Sequence, residues 1–200
     1  MDGNKYVPLG CRLQVELGRM DKISELNNAD EEQAVALLEP LIERAPEIAA
    51  EVARHRPFQS TDDLSRAIRL ELLNLDEIER VGLFRAHPEL APENPLAMTG
   101  ASQSEQGRLD LTSDTNEYRD RLANLNANYR GKFGFPFITA LVCHQNMQSV
   151  LTEFEARLEM DRATEIEQAI HQIFTVSSAR VRAAFGSENA DAFQDAAASE

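Results

Sequence analysis

Across this 200-residue chain, apolar residues recur at intervals of three and four, and no stretch alternates convincingly with the period of two that a strand requires. That spacing confines the chain to helices. Val35, Leu37, Leu38, Leu41 and Ile42 predict a helix over 31–45, opened by a break and cap in Asn27-Asn28-Ala29-Asp30. Pro46 suits the first turn of the next helix, which carries Ile48, Ala49, Val52 and Ala53. Arg56-Pro57-Phe58 ends it, and Ser60-Thr61-Asp62-Asp63 caps another with Leu64, Ala67 and Ile68 on one face. Asp76 to Phe84 follows, with Ile78, Val81, Leu83 and Phe84. It should stop at His87-Pro88, because the residue before a proline is pushed out of helical geometry.

Residues 91–104 make the longest irregular stretch, and a loop of that length in a compact domain is usually functional or mobile. Ser102 with Glu105 three positions on matches a capping box, so a helix is expected from Glu105. Further helices are expected over 113–130 (Tyr118, Leu122, Leu125, Tyr129), 148–158 and 164–184. Phe133 to Phe137 reads as a stiff aromatic turn, and Ile138 to Val142 as a segment extending or starting a helix. The expectation is all-α, with one compact multi-helix domain over 29–185. An extension or short helix lies in 1–28 (Leu13, Val15, Leu17, Met20, Ile23, Leu26), and a polar tail in 186–200.

The formal net charge is -14, which argues against a general nucleic-acid binder or a protein docked on an anionic membrane. One buried Arg still suffices to hold an anionic small molecule. No run approaches the roughly 18 apolar residues of a membrane span. The two cysteines, Cys11 and Cys143, lack metal-ligand spacing and make no disulfide framework, so a reducing cytoplasm is expected. Cys143, beside Leu141 and Val142, reads as a small core residue.

Four groups are candidates for chemistry. His87 sits on a proline-stiffened corner and is the side chain type that moves protons near neutral pH; its plainer reading is a helix-end histidine. Glu105 is a capping carboxylate or a rigid active-site acid, with Ser102 and Gln106 offering polar contacts. The Phe133-Gly134-Phe135-Pro136-Phe137 path is expected to leave the amides of Ile138, Thr139 and Ala140 free for a ligand. Arg180, among Ile173, Val176, Ala179, Val181 and Ala184, needs a partner, as a structural ion pair or a carboxylate clamp; Arg157 competes for the role from a more charged helix. His55, His144 and His171 read as surface or structural. No phosphate loop or nucleophile turn is present.

Taken in order, several blocks resemble the OHCU decarboxylases, which act on 2-oxo-4-hydroxy-4-carboxy-5-ureidoimidazoline. They are Arg44 to Ala49, Arg56-Pro57-Phe58, Ala86-His87-Pro88-Glu89-Leu90-Ala91, Ser102 to Gln106, Asn126 to Ile138, Arg157-Leu158 and Ala179-Arg180-Val181. The resemblance implies a single all-α domain, usually a homodimer, with no metal or organic cofactor. It implies catalytic roles for His87, Glu105 and Arg180. It implies substrate contacts from Pro88, Ser102, Gln106, Pro136, Phe137, Ile138, Thr139 and Ala140. The implied reaction is release of CO2 to give (S)-allantoin in urate breakdown. The chain departs from the family pattern at Ala91-Pro92-Glu93. Two alternatives stand beside this: a decarboxylase of a related ureido or imidazoline acid, and a non-catalytic helical interaction protein. Convergence of His87, Glu105 and Arg180 on one cavity would separate the enzyme readings from the last.

Overall fold

The computed structural model describes residues 21–111 and 117–186. They form α1 (Lys22–Asn28), α2 (Glu31–Leu38), α3 (Pro46–Arg54), α4 (Thr61–Asn74), α5 (Glu77–Ala86), α6 (Gly100–Gly107), α7 (Arg119–Phe133), α8 (Met147–Leu158) and α9 (Arg162–Phe185). There is no strand among the described residues, so the all-α expectation holds. Most of the described helices start at a side-chain cap, and those at Asp30 and Ser60 are the ones expected from the sequence. Asp30, Ser60 and Asp76 each accept from the third backbone N–H of their helix, and Pro46 opens α3.

The long α9 is the spine. It packs against α4, α5 and α7, burying Ile166, Ala169, Ile170, Ile173 and Val181. An aromatic cluster fills the other side of the core. Phe137 stacks on Phe154 at 3.9 Å between ring centroids, and Tyr129 meets both edge-on. Gly134 makes this cluster possible. At φ 82° it ends α7 in the left-handed conformation and turns Phe135 and Phe137 inward.

A charged network crosses this core. Arg157 is 2% exposed and its Nη1 donates to the Ile138 carbonyl (2.7 Å) and to Glu153 (2.9 Å). It is also paired with fully buried Glu165, which accepts from Tyr129. Its guanidinium lies 4.7 Å from the Phe137 ring centre. Burial works against the charge on Arg157, but the Glu165 and Glu153 carboxylates outweigh it and raise its pKa above the ordinary arginine value. The competing arginine from α8 is therefore a structural centre.

Several expectations are corrected. The helix expected over 31–45 ends at Leu38, because Pro40 has no N–H to continue it; a short 3-10 turn Glu39–Leu41 follows. The helix expected from Glu105 begins at Gly100. Its cap is Thr99, whose hydroxyl accepts from the Ser102 N–H, so Ser102 is no cap and Glu105 lies in the helix interior. The loop before it is correspondingly shorter and includes the 3-10 turn Pro95–Ala97. Helix α7 runs three residues beyond the expected end, to Phe133. Its expected start over 113–116, the residues Leu13 to Met20 and the tail from 187 lie outside the described residues.

Residues Pro136 to Ala140 follow an irregular path rather than the helix expected from Ile138, and lead into a 3-10 turn Leu141–Cys143. Cys143 is exposed, since the 3-10 turn points it outward. Leu37 and Ile78 also face solvent despite their periodic positions. Among the described residues, no helix is long and apolar enough to cross a membrane.

Arg157→Ala would leave Glu165 buried without its cation, so thermal or urea unfolding is expected to show a loss of about 3–5 kcal/mol. Gly134→Ala, forced into a left-handed backbone, should cost about 1 kcal/mol in the same experiment.

Candidate active site

Helix α5 stops where Pro88 forbids another turn, leaving His87 as its extended C-terminal residue. The His87 imidazole folds back so that Nδ1 lies 2.9 Å from the Leu83 carbonyl, a group without a helical partner in that last turn. A carbonyl only accepts, so Nδ1 carries the proton and Nε2 keeps the lone pair. Burial lowers the pKa of His87 below 6.5. The Leu83 carbonyl and the Glu43 charge oppose that shift, while Arg180 and Arg44 add to it. At neutral pH the imidazole is neutral.

The corner after His87 is pinned from two sides. Gln106 accepts from the Ala91 N–H (2.9 Å) and donates to the Glu89 carbonyl (2.8 Å). Asn126 donates to the Leu90 carbonyl (2.9 Å). Both ends of the Gln106 amide are thus engaged in holding the loop.

Arg180 reaches in from α9. Its Nε and Nη2 donate to the two oxygens of Glu105 at 2.8 and 2.9 Å, a bidentate pair. Its Nη1 donates to Glu43 at 3.1 Å. Burial disfavours the guanidinium charge, yet the hydrogen bonds and charges of Glu105 and Glu43 prevail and raise its pKa above the ordinary arginine value. The need for a partner, inferred from the apolar setting of Arg180, is met by two carboxylates. Glu105 is accordingly fixed by a cation from another helix and not by helix N–H groups.

The side chains of His87, Gln106, Arg180, Glu105 and Glu43 line one cavity of about 60 Å³. Its wall contains His87, Pro88, Ser102, Glu105, Gln106, Phe137, Ile138, Thr139 and Arg180 of the residues expected from sequence. Pro136 and Ala140 are buried but do not line it, and the Ala140 N–H donates to Gln172 at 2.8 Å. The amide of Ala140 is therefore taken, contrary to the expectation of three free amides. Arg180 also borders two larger hollows, of about 390 Å³ beside Glu43 and Thr99, and about 570 Å³ beside Leu141 and Val176.

Glu43, Leu90, Leu141, Ile173, Val176 and Ser177 also line the cavity and were not singled out as site residues from the sequence. Ile173, Val176, Ser177 and Arg180 follow at intervals of three, one and three, so the face of Arg180 carried a signal. His144 is buried, joined to Thr139, Ser149 and Glu153 behind the wall, whereas His55 pairs with Glu71 at the surface. Among the described residues, no cluster of three or more His, Cys, Asp or Glu is arranged to hold a metal ion.

Comparison with known proteins agrees with this picture. The chain is 30% identical over 166 residues to a 2-oxo-4-hydroxy-4-carboxy-5-ureidoimidazoline decarboxylase of Haloferax volcanii, covering 83% of this chain and 97% of that one. It is 31% identical to the Mus musculus protein of the same description, covering 85% and 96%. A crystal structure described as OHCU decarboxylase in the presence of (S)-allantoin shares the fold, with a TM-score of 0.60 and 21% identity, covering 80% of this chain and 100% of that one. The family model described as OHCU decarboxylase matches residues 27–182, and the chain belongs to that family.

Proposed function

We propose that this protein catalyses cofactor-independent decarboxylation of 2-oxo-4-hydroxy-4-carboxy-5-ureidoimidazoline to (S)-allantoin, a step of urate breakdown. The observation that carries the reading is the convergence of His87, Glu105 and Arg180, from three separate helices or helix ends, on one cavity. A helical interaction protein has no need of that convergence. Its relatives bear the decarboxylase name over nearly their whole length.

The substrate's carboxylate is attached to a ring carbon that also bears a hydroxyl and adjoins a C=N bond. When the C–CO2 bond breaks, its electron pair passes into that C=N bond, so no external electron sink is required. The ring nitrogen left with that pair takes a proton, the ring carbon bearing the ureido group takes another, and the hydroxyl gives one up to become the carbonyl, so one proton in all is taken up for each CO2 released. In this reading Nε2 of His87 moves a proton at these atoms from one face of the ring. Arg180 holds the anionic group, with the backbone of Ile138 and Thr139 beside it, and Glu105 fixes the Arg180 fork and the ureido nitrogens. Ser102, Pro88 and Phe137 shape the cavity, while Gln106 acts through the loop it holds. We also read the working unit as the domain of residues 29–185, in a cytoplasmic homodimer, on the strength of the family likeness; sedimentation tests the dimer.

The test generates the substrate in place with urate oxidase and hydroxyisourate hydrolase and follows the circular dichroism of (S)-allantoin. The protein should accelerate that signal well beyond spontaneous decay. His87→Asn should lower kcat by about 10²–10⁴ with the fold intact. A rate equal to spontaneous decay for the unaltered protein would exclude the proposed substrate, and normal turnover by His87→Asn would exclude the proton-transfer role.

A further inference from the structure

We propose that Glu43 is a positioning residue of this site. Its carboxylate is the shared acceptor that fixes Arg180 on one side and, through Thr99, the first turn of α6 on the other. The proposal rests on the functional reading above and extends it to a residue outside the expected catalytic set.

Glu43 is 6% exposed, in the turn that Pro40 forces between α2 and α3. Two donors meet it. The Thr99 hydroxyl lies 2.9 and 2.8 Å from its two oxygens, and Arg180 Nη1 lies 3.1 Å from Oε2. The Thr99 oxygen already accepts from the Ser102 N–H at 3.2 Å, so its single proton is directed at Glu43. Arg180 has only donors to give. Position 43 must therefore accept from both sides and donate to neither. A carboxylate does this with two oxygens. A glutamine offers one oxygen and turns an N–H toward one of the two donors.

The consequence reaches both partners of the bidentate pair. Arg180 comes from α9 and Glu105 from α6, and Glu43 is joined to each of those helices. With Glu105 on two of its nitrogens and Glu43 on the third, the guanidinium plane has one orientation. Glu43 also acts on the imidazole. The charged groups facing His87 are Glu43 and Arg44 from the turn after α2, Arg180 from α9, and Glu105, which shares the cavity from α6. The Glu43 charge favours the protonated imidazole. A merely structural acid would hold the turn without either effect.

Three variants separate these roles: Glu43→Gln, Glu43→Asp and Thr99→Val. Two readouts are used: turnover of the substrate generated in place, and the titration of the His87 imidazole by NMR, which does not depend on turnover. Glu43→Gln is expected to lower kcat by about 10–100-fold while KM moves by less than about 3-fold. Its His87 midpoint should move to lower pH. Glu43→Asp, with the charge kept but the reach shortened by one methylene, should lower kcat and leave the midpoint in place. Thr99→Val should do the same.

The proposal is overturned if kcat stays within twofold of the unaltered protein in Glu43→Gln and Thr99→Val, or if Glu43→Gln leaves the His87 midpoint unmoved. Should Glu43→Gln not fold, Glu43→Asp and Thr99→Val decide by the same kcat criterion. Failure of the unaltered protein to act on the substrate would sink the functional reading instead, and the imidazole titration would still report on Glu43.

Discussion

The buried Arg157 guanidinium organises the half of the molecule that carries the irregular wall of the site. It joins the end of α8 to Glu165 in α9, lies over Phe137, and holds the Ile138 carbonyl. A charge this deep is tolerated only because its donors are met by carboxylates and a carbonyl in fixed places. The irregular chain from Phe135 to Ala140 lies against the aromatic cluster. That segment presents Phe137, Ile138 and Thr139 to the cavity. His144 and Glu153 complete the bracing through the Thr139 hydroxyl.

A second arginine does for the polar side of the cavity what Arg157 does for the core. Arg180 and Arg157 both stand among apolar neighbours, and both are raised in pKa by paired carboxylates against the cost of burial. They differ in surroundings. Arg157 is closed in on all sides, whereas Arg180 borders three hollows and belongs to the cavity wall. The same ion-pair chemistry therefore serves architecture in one place and borders open space in the other. A net charge of -14 over the chain coexists with a guanidinium at the cavity, because charge at a site is set by its nearest groups.

Most of the helices were legible because periodicity and caps are local signals. Asp30, Ser60, Asp76 and Pro46 state where a helix begins without reference to the rest of the fold. Thr99 was passed over because Ser102 and Glu105 form the same local pattern three residues later; packing of Ser102 and Gln106 against the cavity selected the earlier start. The positions of His87, Glu105 and Arg180 were legible, but their contacts were not. That Arg180 binds Glu105 and Glu43 depends on three segments far apart in sequence. Gln106 shows the same limit: its type suggests a ligand contact, whereas its place beside the 89–91 corner commits it to the backbone. Glu43 was missed because a lone acid in an acidic chain carries no signal until its burial is known.

The end of α5 has a bearing on how this protein can vary. His87 is aimed by the last turn of a ten-residue helix that begins at the Asp76 cap and ends at Pro88. Exposed positions along it, such as Ile78 and Gly82, are open to exchange in composition. Its length is not open in the same way. One residue inserted between the Asp76 cap and Leu83 would carry the last turn, with the imidazole and the Leu83 carbonyl it contacts, about 100° around the helix axis and away from the cavity. Divergent relatives can thus differ freely in the outer face of this helix while keeping the same count of residues between cap and proline.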